Sequence, residues 1–272
     1  VDIPELGLEL RDIETTVTSD ISQTLMIQGK ATSGDGDLRF VSEIQDPLSA
    51  TRTFNVTLEG QDFTLINDLE ILLKITPELR LEGNGEAIHI SGNLTLPVVD
   101  VRITSLPESA VDVSADTVLV SNGSSTIPVH NAADGNPSIF DGISITSELK
   151  IALGDEARFR GFGLDTELAG ALEITQRETG GPLTYGELTV EEGSFQTYGR
   201  TLTIEHGKLL FFGSLDNPAL DIRAVRQAEN VKVGVQMNGT LRNIRSQLFS
   251  TPTLPDGDII AVMLTGRPIA EI

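Results

Sequence analysis

The amino-acid sequence predicts an all-β protein, and two observations support this prediction. Apolar and polar residues alternate with a period of two along much of the chain, which is the pattern of a strand with one apolar and one polar face. Phe54, Val56 and Leu58 follow this pattern, and so does the segment Val231–Met237. Clusters of turn residues such as Gly83-Asn84-Gly85 separate the runs. Strands joined by short turns are typical of all-β folds.

Further alternating runs extend this prediction. They are Leu69–Ile75, Leu79–Leu81, Ile88–Ile90 and Leu94–Leu96. Each run places its apolar residues on one side of an extended chain, because successive side chains of a strand point to opposite faces. We therefore expect many strands that all present one apolar face.

A loose repeat accompanies the strands, in the form Gly, any residue, Leu, any residue, apolar residue. It begins at Gly92, Gly170, Gly186 and Gly207. We expect each glycine to open a strand at a turn or bend. The spacing of the repeat is irregular, which argues against a solenoid of fixed period and favours a sheet that grows strand by strand.

One segment interrupts the strand pattern and divides the chain. Residues 121–142 are rich in Ser, Asn, Gly, Pro and Asp, and no Lys or Arg occurs between Arg102 and Lys150. We interpret residues 121–142 as a long loop or linker. It separates an N-terminal part of the sheet, residues 1–120, from a C-terminal part, residues 143–272. The first 120 residues carry a net charge of −14, and the remainder carries −7.

A single short helix is predicted at about residues 256–265. Pro255 and the early acidic residues Asp256 and Asp258 are start signals, and Gly266 and Pro268 are stop signals. The apolar residues at helical spacing are Ile259, Ile260, Met263 and Leu264. We expect this helix to cap the end of the sheet or to offer an apolar face to a partner.

The charge and the composition exclude several classes of function. The 272 residues include 19 Lys and Arg against 40 Asp and Glu, a formal net charge of −21. Such a chain repels nucleic acid, so an electrostatic nucleic-acid binder is excluded. Without any Cys it has no disulfide framework, thiolate metal site or Cys nucleophile.

No apolar stretch of the sequence approaches the roughly 20 residues of a membrane span. The residues after Val1 do not show the basic and apolar regions of a signal peptide, and we expect the chain to start inside a longer protein.

No group of residues predicts catalysis, a metal site or a cofactor. His89, His130 and His206 are isolated from any recognisable catalytic neighbour. Adjacent acidic residues such as Glu191 and Glu192 point to opposite faces of a strand, so they cannot flank one bond. We therefore predict a protein that is not an enzyme.

The residues alone leave two arrangements open for the apolar face. Two sheets packed face to face would bury it in a sandwich. A single sheet curled along its length would instead leave a trough, and its aliphatic character would match acyl chains, since apolar burial is non-directional. The scarcity of aromatic residues and the single helix favour the trough, but composition does not decide between the two.

Longer motifs identify a family. They are Leu153–Asp165, Leu168-Ala-Gly-Ala-Leu172, Gly193-Ser-Phe-Gln-Thr-Tyr-Gly199, Leu202–Phe211, Asp216–Arg226, Val233–Thr240 and Leu264–Pro268, together with Ile75–Leu81 and Ile90–Pro97. Jointly they resemble the C-terminal domain of the TamB family of translocation and assembly module proteins, which belongs to the AsmA-like superfamily. The resemblance covers most of the chain and is weakest before about Leu38 and in residues 121–142.

The resemblance implies a fold, a location and partners. It implies a long curled, taco-like half-pipe with an apolar interior groove, in a periplasmic protein anchored in the inner membrane by an N-terminal helix outside this chain. The implied partner is TamA, an outer-membrane barrel of the BamA type. Two roles are implied: carrying phospholipid between the membranes, and assisting the assembly of outer-membrane proteins such as autotransporters. The family has no catalytic residues to transfer.

The resemblance also directs attention to particular side chains. We expect the groove to be lined by Phe195, Leu202, Ile204, Leu209, Phe211, Leu220, Ile222, Val231, Val233, Val235, Met237 and Leu241. The alternating polar residues Asp221, Arg223, Lys232 and Gln236 should then face solvent. We expect the TamA side to be formed by Ile259, Ile260, Met263 and Leu264.

Two other functions compete with lipid transport. The protein would act as a chaperone if its sheet edge paired with a strand of an unfolded outer-membrane protein. A polysaccharide-cleaving enzyme on a β-helix is the third hypothesis. It is disfavoured because no Trp and only 2 Tyr are available to stack on sugars.

Overall fold

A computed structural model describes residues 2–3, 7–21, 23–49, 51–103, 143–161, 163–197 and 199–267. Strands dominate these residues, and one helix follows them. The elements are β1 (Asp2–Ile3), β2 (Leu8–Glu9), β3 (Arg11–Ser19), β4 (Thr24–Ser33), β5 (Gly36–Gln45), β6 (Thr53–Gln61), β7 (Phe63–Asn67), β8 (Ile71–Asn84), β9 (Ala87–Ile103), β10 (Ser144–Gly161), β11 (Leu164–Gln176), β12 (Leu183–Thr197), β13 (Arg200–Gly213), β14 (Ala219–Ala228), β15 (Val231–Thr240), β16 (Asn243–Thr251) and α1 (Asp256–Thr265).

Fourteen of the described strands form one open, curled sheet, which confirms the predicted fold class. Its order runs from β16 through consecutive neighbours to β8, then through β6, β5 and β4 to β3, and β7 also pairs with β8. Consecutive strands are neighbours in space, so the sheet grows strand by strand as the irregular repeat predicts. The helix α1 covers the predicted range.

One strand pair departs from this simple meander. β9 and β10 are parallel and pair from Ala87 and Ser144 to Ile103 and Gly161. The other neighbours in the sheet are antiparallel. The parallel pair joins the N-terminal and C-terminal parts of the chain into one sheet. The predicted loop at residues 121–142 lies outside the described residues, so these boundaries stay a prediction.

The pairing register gives the sheet two different faces. Residues directly opposite each other on paired strands share a face, as do alternate residues along a strand. One face, called the aliphatic face from here on, continues across the sheet. Its members include Phe40, Leu58, Leu79, Leu94, Ile151, Leu172, Leu188, Leu209, Leu220, Val235 and Leu248. The opposite face, called the charged face, holds most of the ion pairs.

The glycines of the sequence repeat do not open strands, and that prediction is wrong. Gly92, Gly170 and Gly186 lie inside β9, β11 and β12 with φ between 130° and 133°. A Cβ at Gly92 would lie 2.2 Å from the Glu78 carbonyl oxygen on the neighbouring strand. These positions need glycine because the strands bend where their backbones approach closely, and such kinks are a means of curling a sheet. Gly207 also lies within a strand, β13.

Two strand boundaries differ from those that the alternating runs of the sequence predict. Leu69 precedes β8 and is exposed in the turn that joins it to β7. Conversely, the runs at Ile88–Ile90 and Leu94–Leu96 belong to one strand of 17 residues, β9. Alternation does not stop at Gly92, because a kinked strand keeps its two faces.

Candidate functional site

The C-terminal half of the aliphatic face contains eleven of the twelve side chains that the sequence predicts for a groove. Leu209 illustrates the arrangement: it lies opposite Leu188 on β12 and Leu220 on β14. Phe211 lies opposite Gly186, so a large ring meets a position without a side chain. The eleven residues are Phe195, Leu202, Ile204, Leu209, Phe211, Leu220, Ile222, Val231, Val233, Val235 and Met237.

The twelfth predicted residue lies elsewhere. Leu241 follows the end of β15, in the turn to β16, and is 51% exposed. Its backbone N–H donates to the Pro218 carbonyl oxygen, which ties this turn to the one before β14. Leu241 therefore belongs to the margin of the sheet.

A tight cluster anchors the aliphatic face near one margin. Leu202, Ile204 and Ala224 are buried and in contact. Partly buried apolar residues pack around them: Leu164, Val190, Ile222, Val235 and Met263. Burial at roughly 25 cal/mol per Å² of apolar area makes such a cluster a main source of stability in a single sheet. These three residues therefore support the fold.

The groove residues named from the sequence lie on β12–β15 and in the turn that follows β15, but the register extends the aliphatic face to β3. In the N-terminal half, Phe54, Val56 and Leu58 of β6 lie opposite Gly83, Leu81 and Leu79 of β8. Val17 of β3 lies opposite Ile27 of β4 at the far end. The alternation of these residues was visible in the sequence. Their membership of the same face follows only from the register of the strands between.

Small hydroxyl side chains interrupt the aliphatic face. Ser42, Ser147, Thr166 and Thr184 lie on it and are buried. The Thr184 hydroxyl has no hydrogen-bond partner. These residues are short, so they add little polar surface between the larger aliphatic side chains.

The charged face carries a row of ion pairs across β12–β15. Lys208 Nζ lies 2.5 Å from Glu187 Oε1 on the neighbouring strand. Glu205 pairs with both Arg223 and Lys232. The predicted outward residues are members of this face: Arg223 also stacks on the Phe249 ring at 3.9 Å, and the Gln236 amide donates to Asp221 at 2.7 Å. This row links strands through long polar side chains on one side only.

A second polar cluster joins β9, β10 and β11. Asp100 accepts hydrogen bonds from Arg102 at 2.5 Å and from Arg160 at 2.6 Å. The Arg102 hydrogen bond, followed by that of Arg160, holds the pKa of Asp100 below its ordinary value despite partial burial. The bidentate pair from Arg158 lowers the pKa of Asp165 in the same way. Each guanidinium stabilises the charged carboxylate, so this cluster cross-links strands rather than holding a reactive group.

The helix α1 lies over one end of the aliphatic face. Ile259 and Val262 pack on Val233, which is 0% exposed. Arg226 lies opposite Val233 and donates to the carbonyl oxygens of Val262 at 3.1 Å and Met263 at 2.5 Å. A cation at the C-terminal end of a helix is favourable for its dipole, and the left-handed Gly266 closes the helix.

The four helical residues expected on the TamA side separate into two pairs. Ile259 is buried. Met263 packs against the cluster that contains Leu202 and against the cluster that contains Val233. Ile260 and Leu264 are 47% and 37% exposed. Only the second pair is accessible to a partner while the helix stays in place.

Neither a metal-binding cluster nor a membrane-spanning helix occurs in the described part of the chain. Among those residues, no group of three or more His, Asp and Glu side chains is arranged to hold a metal ion. The one helix described there lacks the length and hydropathy needed to cross a membrane.

Comparison with known proteins gives a family assignment. The family model of the TamB C-terminal domain matches residues 23–271. The chain belongs to the TamB C-terminal domain family. Among curated proteins, it is 25% identical over 248 residues to the translocation and assembly module subunit TamB of Haemophilus influenzae. This match covers 89% of the chain but 19% of that relative, so the chain spans about a fifth of the length of the TamB protein it matches.

Proposed function

We propose that this chain is a section of a lipid conduit, in which phospholipid acyl chains move along the aliphatic face between the inner and outer membranes. The observation that carries the proposal is the continuity of that face, which passes from β3 to β16 with apolar side chains on every strand. A sheet this long is more extended than one ligand pocket requires.

The chemistry of the face suits sliding rather than fixed binding. Apolar burial is non-directional, and each methylene removed from water contributes about 0.8 kcal/mol wherever it lies along the face. An acyl chain therefore has similar affinity at successive strands. Among the described residues that the pairing register places on this face, the charged side chains are Arg200 and Arg226, and both donate to carbonyl oxygens at the C-terminal end of α1. The rest of the face defined in this way therefore has no charge that would select one headgroup. Headgroups would remain in water beyond the margins of the sheet.

Family membership supplies the proposed setting. In this proposal the protein is a non-enzymatic subunit of the translocation and assembly module, located in the periplasm, with an inner-membrane anchor elsewhere in the full-length protein. It also supports the assembly of outer-membrane proteins, including autotransporters, together with TamA. Unfolded outer-membrane proteins would be its clients in that role.

Leu209→Asp is expected to abolish the co-purification of phospholipid with the protein. Leu209 is partly exposed in the middle of the face, away from α1, so a carboxylate there interrupts the apolar path with little loss of packing. Mass spectrometry of extracted lipid would measure the effect, and the thermal midpoint would confirm that the variant folds. Leu210→Asp is the matched control, because Leu210 is the next residue of β13 and lies on the charged face. Equal lipid in wild type and Leu209→Asp would refute the conduit, as would the absence of lipid from wild type.

Ile260→Ser combined with Leu264→Ser is expected to weaken association with TamA at least about tenfold, since two large apolar side chains would lose their burial at the interface. Both side chains are exposed, so the helix should stay packed. Affinity for purified TamA measures the effect. Val41→Ser is the control, because Val41 is an exposed apolar residue on the charged face of β5. Unchanged affinity of the double variant would remove α1 from the interface.

A strand-pairing chaperone is the second candidate function, and the sheet edge favours it. Among the described strands β16 pairs only with β15, and residues Asn243–Gln247 are exposed. An edge strand offers unpaired backbone groups to an incoming strand. Photo-crosslinking from Arg245 should then capture an unfolded outer-membrane protein. Crosslinks to lipid alone would count against this candidate.

A further inference from the structure

The margin of the sheet at the β12–β16 end carries an unusual group of exposed apolar side chains. We call it the apolar rim. It consists of Leu183 at the start of β12, Tyr185 two residues later, Phe212 near the end of β13, Leu241 in the β15–β16 turn and Ile244 at the start of β16. All five are exposed, and Phe212 is 73% exposed. Exposed apolar groups of this size mark contact surfaces when they cluster.

The rim is apolar on both faces of the sheet. Tyr185 and Phe212 lie opposite each other on the charged face. Ile244 lies opposite Gly239 on the aliphatic face, and Leu241 occupies the tip between the faces. A conduit along the aliphatic face explains Ile244 only. Nothing in the proposed function requires Tyr185 and Phe212 to be apolar on a face that elsewhere carries ion pairs.

We propose that the apolar rim inserts into the interfacial layer of a zwitterionic lipid bilayer. Apolar groups on two opposite faces and on the tip of a single sheet are covered together only by a medium that surrounds the edge. A protein docked on one face would leave the other exposed. The inference deepens the proposed function and rests on it, because acyl chains must pass between a membrane and the aliphatic face.

The depth of the rim agrees with the interfacial layer. On the charged face, the next row inward from Tyr185 and Phe212 contains Glu187 opposite Leu210, and Glu187 pairs with Lys208 one row further in. Two residues of a strand span about 7 Å, and apolar faces of peripheral segments enter the interface by about 5–10 Å. When the rim is inserted, the first charged groups of this face would therefore lie at the water-facing side of the headgroup layer. Tyr and Phe are also suited to this layer, Tyr because its ring is apolar and its hydroxyl polar.

Electrostatics select the class of lipid. The net charge of −21 repels anionic membranes, so attraction to acidic headgroups does not drive insertion. At the tip, Arg242 is paired with Asp216, which leaves that ion pair neutral as a whole. Zwitterionic headgroups accept such a pair without net repulsion.

Two more hairpin tips lie at the same margin. Ile21 lies in the turn between β3 and β4, and Leu48 lies in the turn between β5 and β6, both fully exposed. These turns and the apolar rim lie at the same ends of the strands, because the register aligns them across the sheet. The same margin therefore carries two exposed apolar side chains in addition to the five rim residues.

The absence of Trp makes insertion directly measurable. In Phe212→Trp the only indole lies in the rim, and vesicles of phosphatidylcholine and phosphatidylethanolamine should shift its emission to the blue. Val41→Trp places the only indole at an exposed site on the charged face of β5, and its emission should not shift. In flotation, the triple variant Tyr185→Ser, Phe212→Ser, Leu241→Ser should partition onto these vesicles at least about tenfold less than wild type.

The outcomes separate this inference from the proposed function. No shift in Phe212→Trp, an equal shift in Val41→Trp, or flotation of the triple variant like wild type would each overturn the inference. Binding restricted to anionic vesicles and lost in high salt would overturn it as well. The triple variant should keep its co-purified phospholipid, whereas Leu209→Asp should lose that lipid and still float. If wild type floats but carries no phospholipid, the lipid-conduit proposal is refuted and the inference that the apolar rim inserts into a bilayer still stands.

Discussion

Val233→Lys should detach α1 from the sheet and lower the free energy of unfolding by about 3 kcal/mol or more. Val233 is fully buried beneath Ile259 and Val262. A lysine ammonium there loses its water without gaining a carboxylate. It also lies opposite Arg226 on the same face, and like charges in directly opposite positions repel. Denaturant unfolding measures the loss, and proteolysis of α1 reports its release.

Val41→Lys controls for the added charge. Val41 has the same side chain on a strand of the same sheet, but it is exposed on the charged face. Its replacement should change stability by less than about 0.5 kcal/mol. A Val233→Lys variant that unfolds with the wild-type midpoint and keeps α1 protected would mean that the helix does not pack on Val233.

The helix illustrates how far sequence reasoning reaches. Its bounds follow from Asp256, Asp258 and Gly266, because capping and dipole preferences are local. Which side of α1 contacts the sheet is not local. Ile259 and Ile260 are equally apolar and adjacent, and only the fold decides that Ile259 is buried and Ile260 exposed. Arg226, which holds the C-terminal end of the helix, lies 36 residues before Val262 and has no signal in the sequence.

The strands show the same division. Alternation predicts that Leu209 and Phe211 share one side of β13, and that Val233 and Val235 share one side of β15, since a period of two is a property of each strand alone. Only the register places both pairs on the same face of the sheet. It does not predict the parallel pairing of β9 with β10, because both strands alternate in the same manner whichever direction they run. Parallel neighbours need a connection of a dozen or more residues. The long segment between Ile103 and Ser144 is compatible with that need, yet its composition indicates only a loop.

The apolar rim has no signal in the sequence for a different reason. Tyr185 and Phe212 are far apart in sequence, and each looks like an ordinary member of a strand. The register places them opposite each other, on the face that holds most of the ion pairs. An apolar residue becomes informative only when its face is known.

Gly92→Ala is expected to destabilise the protein by several kcal/mol, because two costs combine at this position. The φ of 130° strains a residue with a side chain, and such strain costs on the order of 1–3 kcal/mol. The new Cβ would also lie 2.2 Å from the Glu78 carbonyl oxygen and 3.0 Å from the Leu79 Cα. To relieve that overlap, β8 and β9 must separate at the middle of their pairing, next to the parallel pair that joins the two parts of the sheet.

Two other glycines separate these costs. Gly180 has a φ of 103°, and no atom lies within 4 Å of the place that an alanine methyl group would occupy, so Gly180→Ala adds strain alone. At Gly181 nothing lies within 4 Å and φ is not in the left-handed region, so Gly181→Ala should be almost neutral. Denaturant unfolding should therefore rank the losses, from smallest to largest, as Gly181→Ala, then Gly180→Ala, then Gly92→Ala. A Gly92→Ala loss equal to that of Gly180→Ala would mean that the close approach of β8 and β9 contributes nothing, and that glycine serves there only to bend the strand.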